Sequence, residues 1–200
     1  MKIFGAKRTD TSLHLLYASS TDFCRIFKTD MNGLYLLALL LTADSELAEK
    51  CFVLGLQDSK NGNAVFKQWA QSWARRTIIT NAIRIIVPRP DINASAPVSG
   101  SGPRSTRLPA ELVAVLGLRT FDRFAFVMSV LEGYSERECR LLLNCSSTDL
   151  AQAQIRALQQ LGSLVERCRK AENAVQLQSK EDNSELRLAP GIIRPLAVSA

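Results

Sequence analysis

FDRFAFVMSVLEGYSERECRLLLNCSSTDLAQAQIRALQQL, residues Phe121 to Leu161, is the stretch that decides the fold. Phe121, Phe124, Ala125, Met128 and Leu131 recur at helical spacing, and Gly133, tolerant of the left-handed conformation, predicts where that first helix ends. Ser135 followed three residues later by Glu138 has the pattern of a capping box, in which each side chain accepts a free amide at the start of the next helix. That helix is short, with Cys139, Leu142 and Leu143 apolar, and Asn144 stands where a left-handed residue would close it. Cys145 to Thr148 predict a turn. Ser147 or Thr148 is expected to cap a third helix, Asp149 suits its positive end, and Leu150, Ala153, Ala157, Leu161 and Leu164 continue an inward stripe. Two helices joined by about three or four residues have helix-turn-helix spacing. Periodicity alone fits an ordinary helical hairpin of a bundle equally.

Working outward, residues 88–107 hold four of the seven prolines together with several serines and two glycines, a composition that resists helix and sheet alike. They predict a linker. The segment before it is helical in pattern: Phe23, Ile26 and Phe27 form one stripe, and Leu34 to Leu41 is dense enough for a centrally packed helix. Asp44 or Ser45 is expected to cap a further helix carrying Leu47, Cys51 and Leu54, with a loop over Gln57 to Asn63. From Val65 to Ile86 one long helix is the simplest account, with Phe66, Trp69, Trp73, Thr77 and Thr80 on one side. The chain therefore divides into a lead (1–20), a helical domain (21–87), the linker (88–107), a second helical domain (108–170) and a tail (171–200) with Pro190 and Pro195 blocking helix. The expected fold class is all-α, two small helical domains joined by a Pro/Ser/Gly-rich linker, the second containing a helix-turn-helix.

The 200 residues are 46% hydrophobic and 22% charged, which supplies packed cores. The net charge is +6, a mild bias toward polyanions, and it sits mostly outside the second domain: nine Lys/Arg face six Asp/Glu in 21–90, eight face seven in 108–170. Five cysteines (Cys24, Cys51, Cys139, Cys145 and Cys168) lack CxxC spacing, and His14 is the single histidine, so buried free thiols are expected and neither a metal nor another cofactor. No stretch reaches the roughly 18 apolar residues of a membrane span, and the N-terminus lacks a signal-peptide core. A cytoplasmic location without membrane attachment is the expectation. Enzymatic chemistry is not expected, because no phosphate loop, paired carboxylates or nucleophile with a neighbouring base is visible.

Leu131-Glu132-Gly133 before a capped helix, and Arg156-Ala157 late in the next one, resemble the promoter-reading C-terminal domain of bacterial RNA polymerase sigma factors of the extracytoplasmic-function type. LYLLALLLTADSELAEKCF (34–52) and FKQWAQSWARR (66–76) are similar to the first domain of that family and its tryptophan-bearing helix. The likeness covers 22–86 and 108–170, about two thirds of the chain. It implies a transcription factor with RNA polymerase core and promoter DNA as partners, and an anti-sigma protein as a restraining one. It implies DNA contacts from Ser147, Thr148, Ala151, Gln152, Gln154, Ile155, Arg156 and Gln159, where glutamines can read adenine and arginine can grip a phosphate or guanine. Trp69, Trp73, Arg75, Arg76 and Arg84 would meet a melted strand by stacking and charge; a core tryptophan pair beside a solvated basic face is the plainer account. Ala48, Glu49, Phe52 and Val53 fall on the polymerase-binding helix. Ala151, Gln152 and Ala153 stand where the family carries a DNA-facing Lys-Ser-Arg, and Lys50 and Val53 replace acidic and glutamine positions. Those departures define the alternative, a sigma-like regulatory module that works through protein contacts without specific promoter binding.

Overall fold

Eight α-helices, the last over 147–163, make up most of the described chain in a computed structural model that describes residues 16–62, 64–90, 109–163 and 166. The expectations for residues 1–15 with His14, for linker residues 91–107, for Leu164 and Cys168 and for the tail lie outside the described residues. Among the described residues there is no strand, only one isolated bridge between Tyr17 and Phe66. The class is all-α. No helix among the described residues is long and apolar enough to cross a membrane. By contact the chain falls into two units, Met1–Leu161 and Gly162–Ala200.

Helix α1 (Ser20–Thr29) starts at a capping box in which the Ser19 hydroxyl accepts from the Asp22 amide while Asp22 accepts from Ser19. It buries Phe23 and Phe27. Helix α2 (Met31–Thr42) is the central rod: Leu34 and every residue from Leu37 to Thr42 are buried. So many consecutive apolar side chains cannot all face one neighbour, so the helix must be surrounded. Helix α3 (Ser45–Asn61) is capped by Asp44, whose carboxylate accepts the Leu47 amide at 2.9 Å. The loop expected over 57–63 is mostly helix. Two of its polar residues join α3 to the next helix, buried Ser59 bonding Thr77 at 3.0 Å and Asp58 accepting from Asn81 at 2.9 Å.

The single helix expected from Val65 to Ile86 is instead an extended pair, a 3-10 turn (Lys67–Trp69) and then α4 (Ala70–Ile86). The Ala18 amide donates to the Val65 carbonyl at 2.7 Å, and Tyr17 stacks on Phe66 with ring centres 4.6 Å apart. These contacts pull the chain straight before it can coil. The buried side of α4 is Ala70, Ala74, Thr77, Ile78, Ile79, Asn81 and Ala82, not the tryptophans.

Beyond the expected linker come α5 (Ala110–Leu116), α6 (Thr120–Phe126), a π turn (Val127–Leu131), α7 (Glu136–Leu143) and α8 (147–163). Every residue from Phe121 to Met128 is buried, Asp122 and Arg123 included, where spacing predicts only an amphipathic stripe. Leu131, the last member of that stripe, is half exposed because the π turn holds an extra residue and rotates the chain beyond it. Buried residues from both sides of 88–107, Phe27 to Ala82 and Val115 to Ala157, form one continuous apolar cluster. Arg123 ties the same parts together: its guanidinium donates to the carbonyls of Leu41, Leu116 and Leu118 at 3.0–3.4 Å. Burial lowers its pKa to about 10. The carbonyl at the end of α2 is one that the helix itself leaves unpaired, and a cation there also meets the negative end of the helix dipole.

Candidate functional site

The chain between α6 and α8 obeys the expected local signals closely. Gly133 takes φ +67°, Ser135 and Glu138 form the capping box, and Asn144 closes α7 at φ 49°. Three residues, 144–146, separate α7 from α8. The cap of α8 is Ser146, one residue earlier than expected: its hydroxyl accepts the Asp149 amide at 3.1 Å, and Asp149 accepts back from Ser146. Ser147 is left to donate to Glu136 across the turn. The left-handed Asn144 shortens the turn enough to bring Ser146, rather than Ser147, to the helix mouth.

Leu150, Ala153 and Ala157 are buried, which fixes the rotation of α8 about its axis. Ser147, Thr148, Ala151, Gln152, Ile155, Leu158 and Gln159 consequently face solvent, and Gln154 is half-buried. Small alanines inward let α8 sit close to its neighbours, while Ile155 and Leu158 lie exposed one turn apart. Arg156 is not among the free side chains. It grips the carboxylate of Asp122, itself 2% exposed, at 2.7–3.2 Å, and Arg119 reaches the same carboxylate at 3.0 Å. The hydrogen bond to Asp122 raises the Arg156 pKa. Arg156 is the sole Lys or Arg between 147 and 163, so the outward side of α8 is uncharged beyond its first turn.

A concave feature of about 810 Å³ lies between the start of α4 and the turn after the π segment. Phe66, Trp69, Trp73, Arg75 and Arg76 form one wall and Leu131 to Tyr134 with Glu138 the other. Trp69 is 56% exposed and meets Phe66 edge-on, so with Tyr17 behind Phe66 three aromatic rings run in series. Trp73 is half-buried, and its indole N–H is buried without an acceptor. Arg75 is committed to Glu132 through two hydrogen bonds, one of 2.7 Å, with Asp30 3.7 Å away. That hydrogen bonding raises its pKa. Burial raises the Tyr134 pKa, with Arg76 acting in the opposite sense. Arg84 lies farther along α4 and pairs with Asp58 at 3.2 Å.

The residues expected on a polymerase-binding surface divide. Glu49 and Val53 are exposed on α3, Phe52 is half-buried edge-on against Phe27, and Ala48 is fully buried. Ala48 therefore packs and presents nothing to a partner: it lies one turn before Phe52 on the inward side of the helix. Among the described residues no three His, Cys, Asp or Glu side chains converge on a metal position. Cys51 and Cys139 are buried, and burial pushes each thiol pKa up to about 11, away from thiolate reactivity.

Sequence reasoning misses Asp122, Glu132, Tyr17, Phe66 and Tyr134 as site residues. The charges in FDRF and LEG sit in apolar runs, which is the one signal that they need buried partners. No protein-family model, no curated protein and no solved structure matches this chain.

Proposed function

We propose that this protein is a sigma-like transcription factor that docks RNA polymerase core in the cytoplasm and engages promoter DNA, with no chemistry of its own. The observation that carries the reading is the pair α7 and α8: two short helices across a three-residue turn, the second anchored by Leu150, Ala153 and Ala157 and turning Ser147, Thr148, Ala151, Gln152 and Gln159 outward. A helix held in that way can enter a major groove, where Gln152 and Gln159 would meet base edges and the Ser147 and Thr148 hydroxyls the backbone. The aromatic and basic groove adds a surface suited to a single strand. Glu49 and Val53 would lie against polymerase. Purified core polymerase incubated with the full chain should retain it and acquire selective initiation on promoter fragments from the source genome. Retention without any selective initiation, across such a library, would refute the promoter-directing role.

A second reading is favoured by one specific observation. The outward side of α8 carries no cation, since Arg156 is spent on Asp122, and it shows Ile155 and Leu158 to solvent. Phosphate contacts supply essentially all of the non-specific affinity for DNA and a large share of the specific affinity. A sigma-like regulatory module that uses α8 on a protein partner, polymerase or an anti-sigma protein, fits such a face. It predicts core or partner binding with no salt-dependent gel shift.

A further inference from the structure

We infer that Arg75 and Glu132 form a latch that pins the two walls of the aromatic groove together and withholds the Arg75 guanidinium, so that a strand can use Arg75 only by displacing the Glu132 carboxylate. The inference rests on the strand-binding role proposed above for Trp69, Trp73, Arg75 and Arg76. The groove has a wall from α4 and a wall from the turn 131–134, and the bidentate Arg75–Glu132 contact crosses from one to the other. Glu132 is only 7% exposed at its side chain, so the pair is largely shielded from salt, and Asp30 supports Arg75 from the other side. With two carboxylates beside it, the positive charge of Arg75 is offset before a phosphate arrives. One of the two groove-lining arginines is thus spent in pinning the walls.

Two further features suit an element that opens. Glu132 sits between a π turn and Gly133 at φ +67°, so its wall is attached through irregular backbone rather than through a continuous α-helix. The Trp73 indole N–H is buried with no acceptor in this arrangement, an unmet donor that parting of the walls would expose to water or to a base. A phosphate taking the place of the Glu132 carboxylate would satisfy Arg75 with the same bidentate geometry. Strand and carboxylate therefore compete for one guanidinium.

The test uses the full chain and two variants, Glu132→Gln and Arg75→Gln, with a fluorescein-labelled oligothymidylate as probe. Trp69 and Trp73 are the only two tryptophans, so acrylamide quenching of intrinsic fluorescence reports on the groove directly. Both variants should quench more readily than the parent, and amides of 131–134 should exchange faster. Glu132→Gln should also bind the probe more tightly, by roughly fivefold or more, whereas Arg75→Gln, which frees the walls but lacks the cation, should not. Unchanged quenching and exchange in Glu132→Gln would overturn the latch. Raised quenching with no probe binding by any form would leave the latch standing and remove the strand-binding role. If Glu132→Gln does not fold, Glu132→Asp, which keeps the charge and shortens the reach, takes its place with the same readouts.

Discussion

Replacing Asp122 by Asn keeps the side-chain volume and removes the charge on which Arg119 and Arg156 converge. The carboxylate is 2% exposed and accepts at 2.7–3.2 Å from Arg156 and at 3.0 Å from Arg119. Breaking a fully buried pair costs about 3–5 kcal/mol because the surviving charge is stranded. Here the survivors are not stranded: Arg156 and Arg119 are 37% and 42% exposed at their side chains and can turn to water. An exposed pair is worth about 0–1 kcal/mol. The expected loss lies between those limits, about 2 kcal/mol. For a chain of this size that lowers Tm by about 4–8 °C. Urea denaturation monitored by circular dichroism should move the midpoint without changing the slope. The double variant Asp122→Asn, Arg156→Gln should cost little more than Asp122→Asn alone, because the two groups act as one unit. A loss below about 0.5 kcal/mol, or strict additivity with Arg156→Gln, would show that the contact does not fasten α8 to α6. The measurement also bears on function: an Arg156 variant that weakens DNA binding has to be corrected for loosening of α8.

Ser146→Ala removes the acceptor for the Asp149 amide and should cost about 1 kcal/mol in urea unfolding; no change would return the cap to Ser147 or Thr148. Adding cations with Ala151→Lys and Ile155→Arg should tighten DNA binding and steepen its dependence on salt by about 0.9 for each cation that reaches a phosphate. A flat response in gel shifts across a salt series would mean that this side of α8 does not meet DNA. Two carboxylates make the helix starts sensitive to acid. Glu138 is held below its ordinary 4.5 by the Ser135 hydroxyl and then the Ser135 amide, and Asp22 below 3.8 by the Ser19 amide and then the Ser19 hydroxyl. Both pKa values are depressed by folding, so their stabilisation is present above those ordinary values and is lost as pH falls through the folded ones. Helicity should hold from pH 7 to about 5 and fall below that; Ser19→Ala with Ser135→Ala should shrink the acid-sensitive part, and an unchanged acid profile in that variant would refute the assignment.

Local signals are legible in the residues wherever one side chain answers one backbone group. Gly133, the Ser135–Glu138 box, Asn144 and the Asp44 cap all act within four residues of themselves, and each takes the conformation its type and position predict. The dense run Leu34–Leu41 announces a surrounded helix for the same reason, since no single face can hold it. What periodicity misses depends on partners distant in the chain. Ser59 looks like loop until Thr77 stands opposite it, and Val65–Phe66 looks helical until Tyr17 and Ala18 lie alongside. The candidate site shows the same division. The outward turn of Gln152 and Gln159 comes from the alanines at 153 and 157, whereas the capture of Arg156 by Asp122 and of Arg75 by Glu132 spans 34 and 57 residues and leaves no mark on spacing.

The π turn at Val127–Leu131 sets the angular phase of the helices downstream of it. Each residue advances a helix by about 100°, so one surplus residue turns the later chain by more than a quarter of a revolution. The helix enters that turn buried on all sides and leaves it with Val130 and Leu131 in solvent and Glu132 aimed at Arg75. Excising one residue there would restore α geometry, swing Glu132 off its guanidinium and re-aim α7 and α8 together, while barely altering the amino-acid composition of the protein. Length at this single place, more than the identity of any one side chain, decides which way the last two helices look.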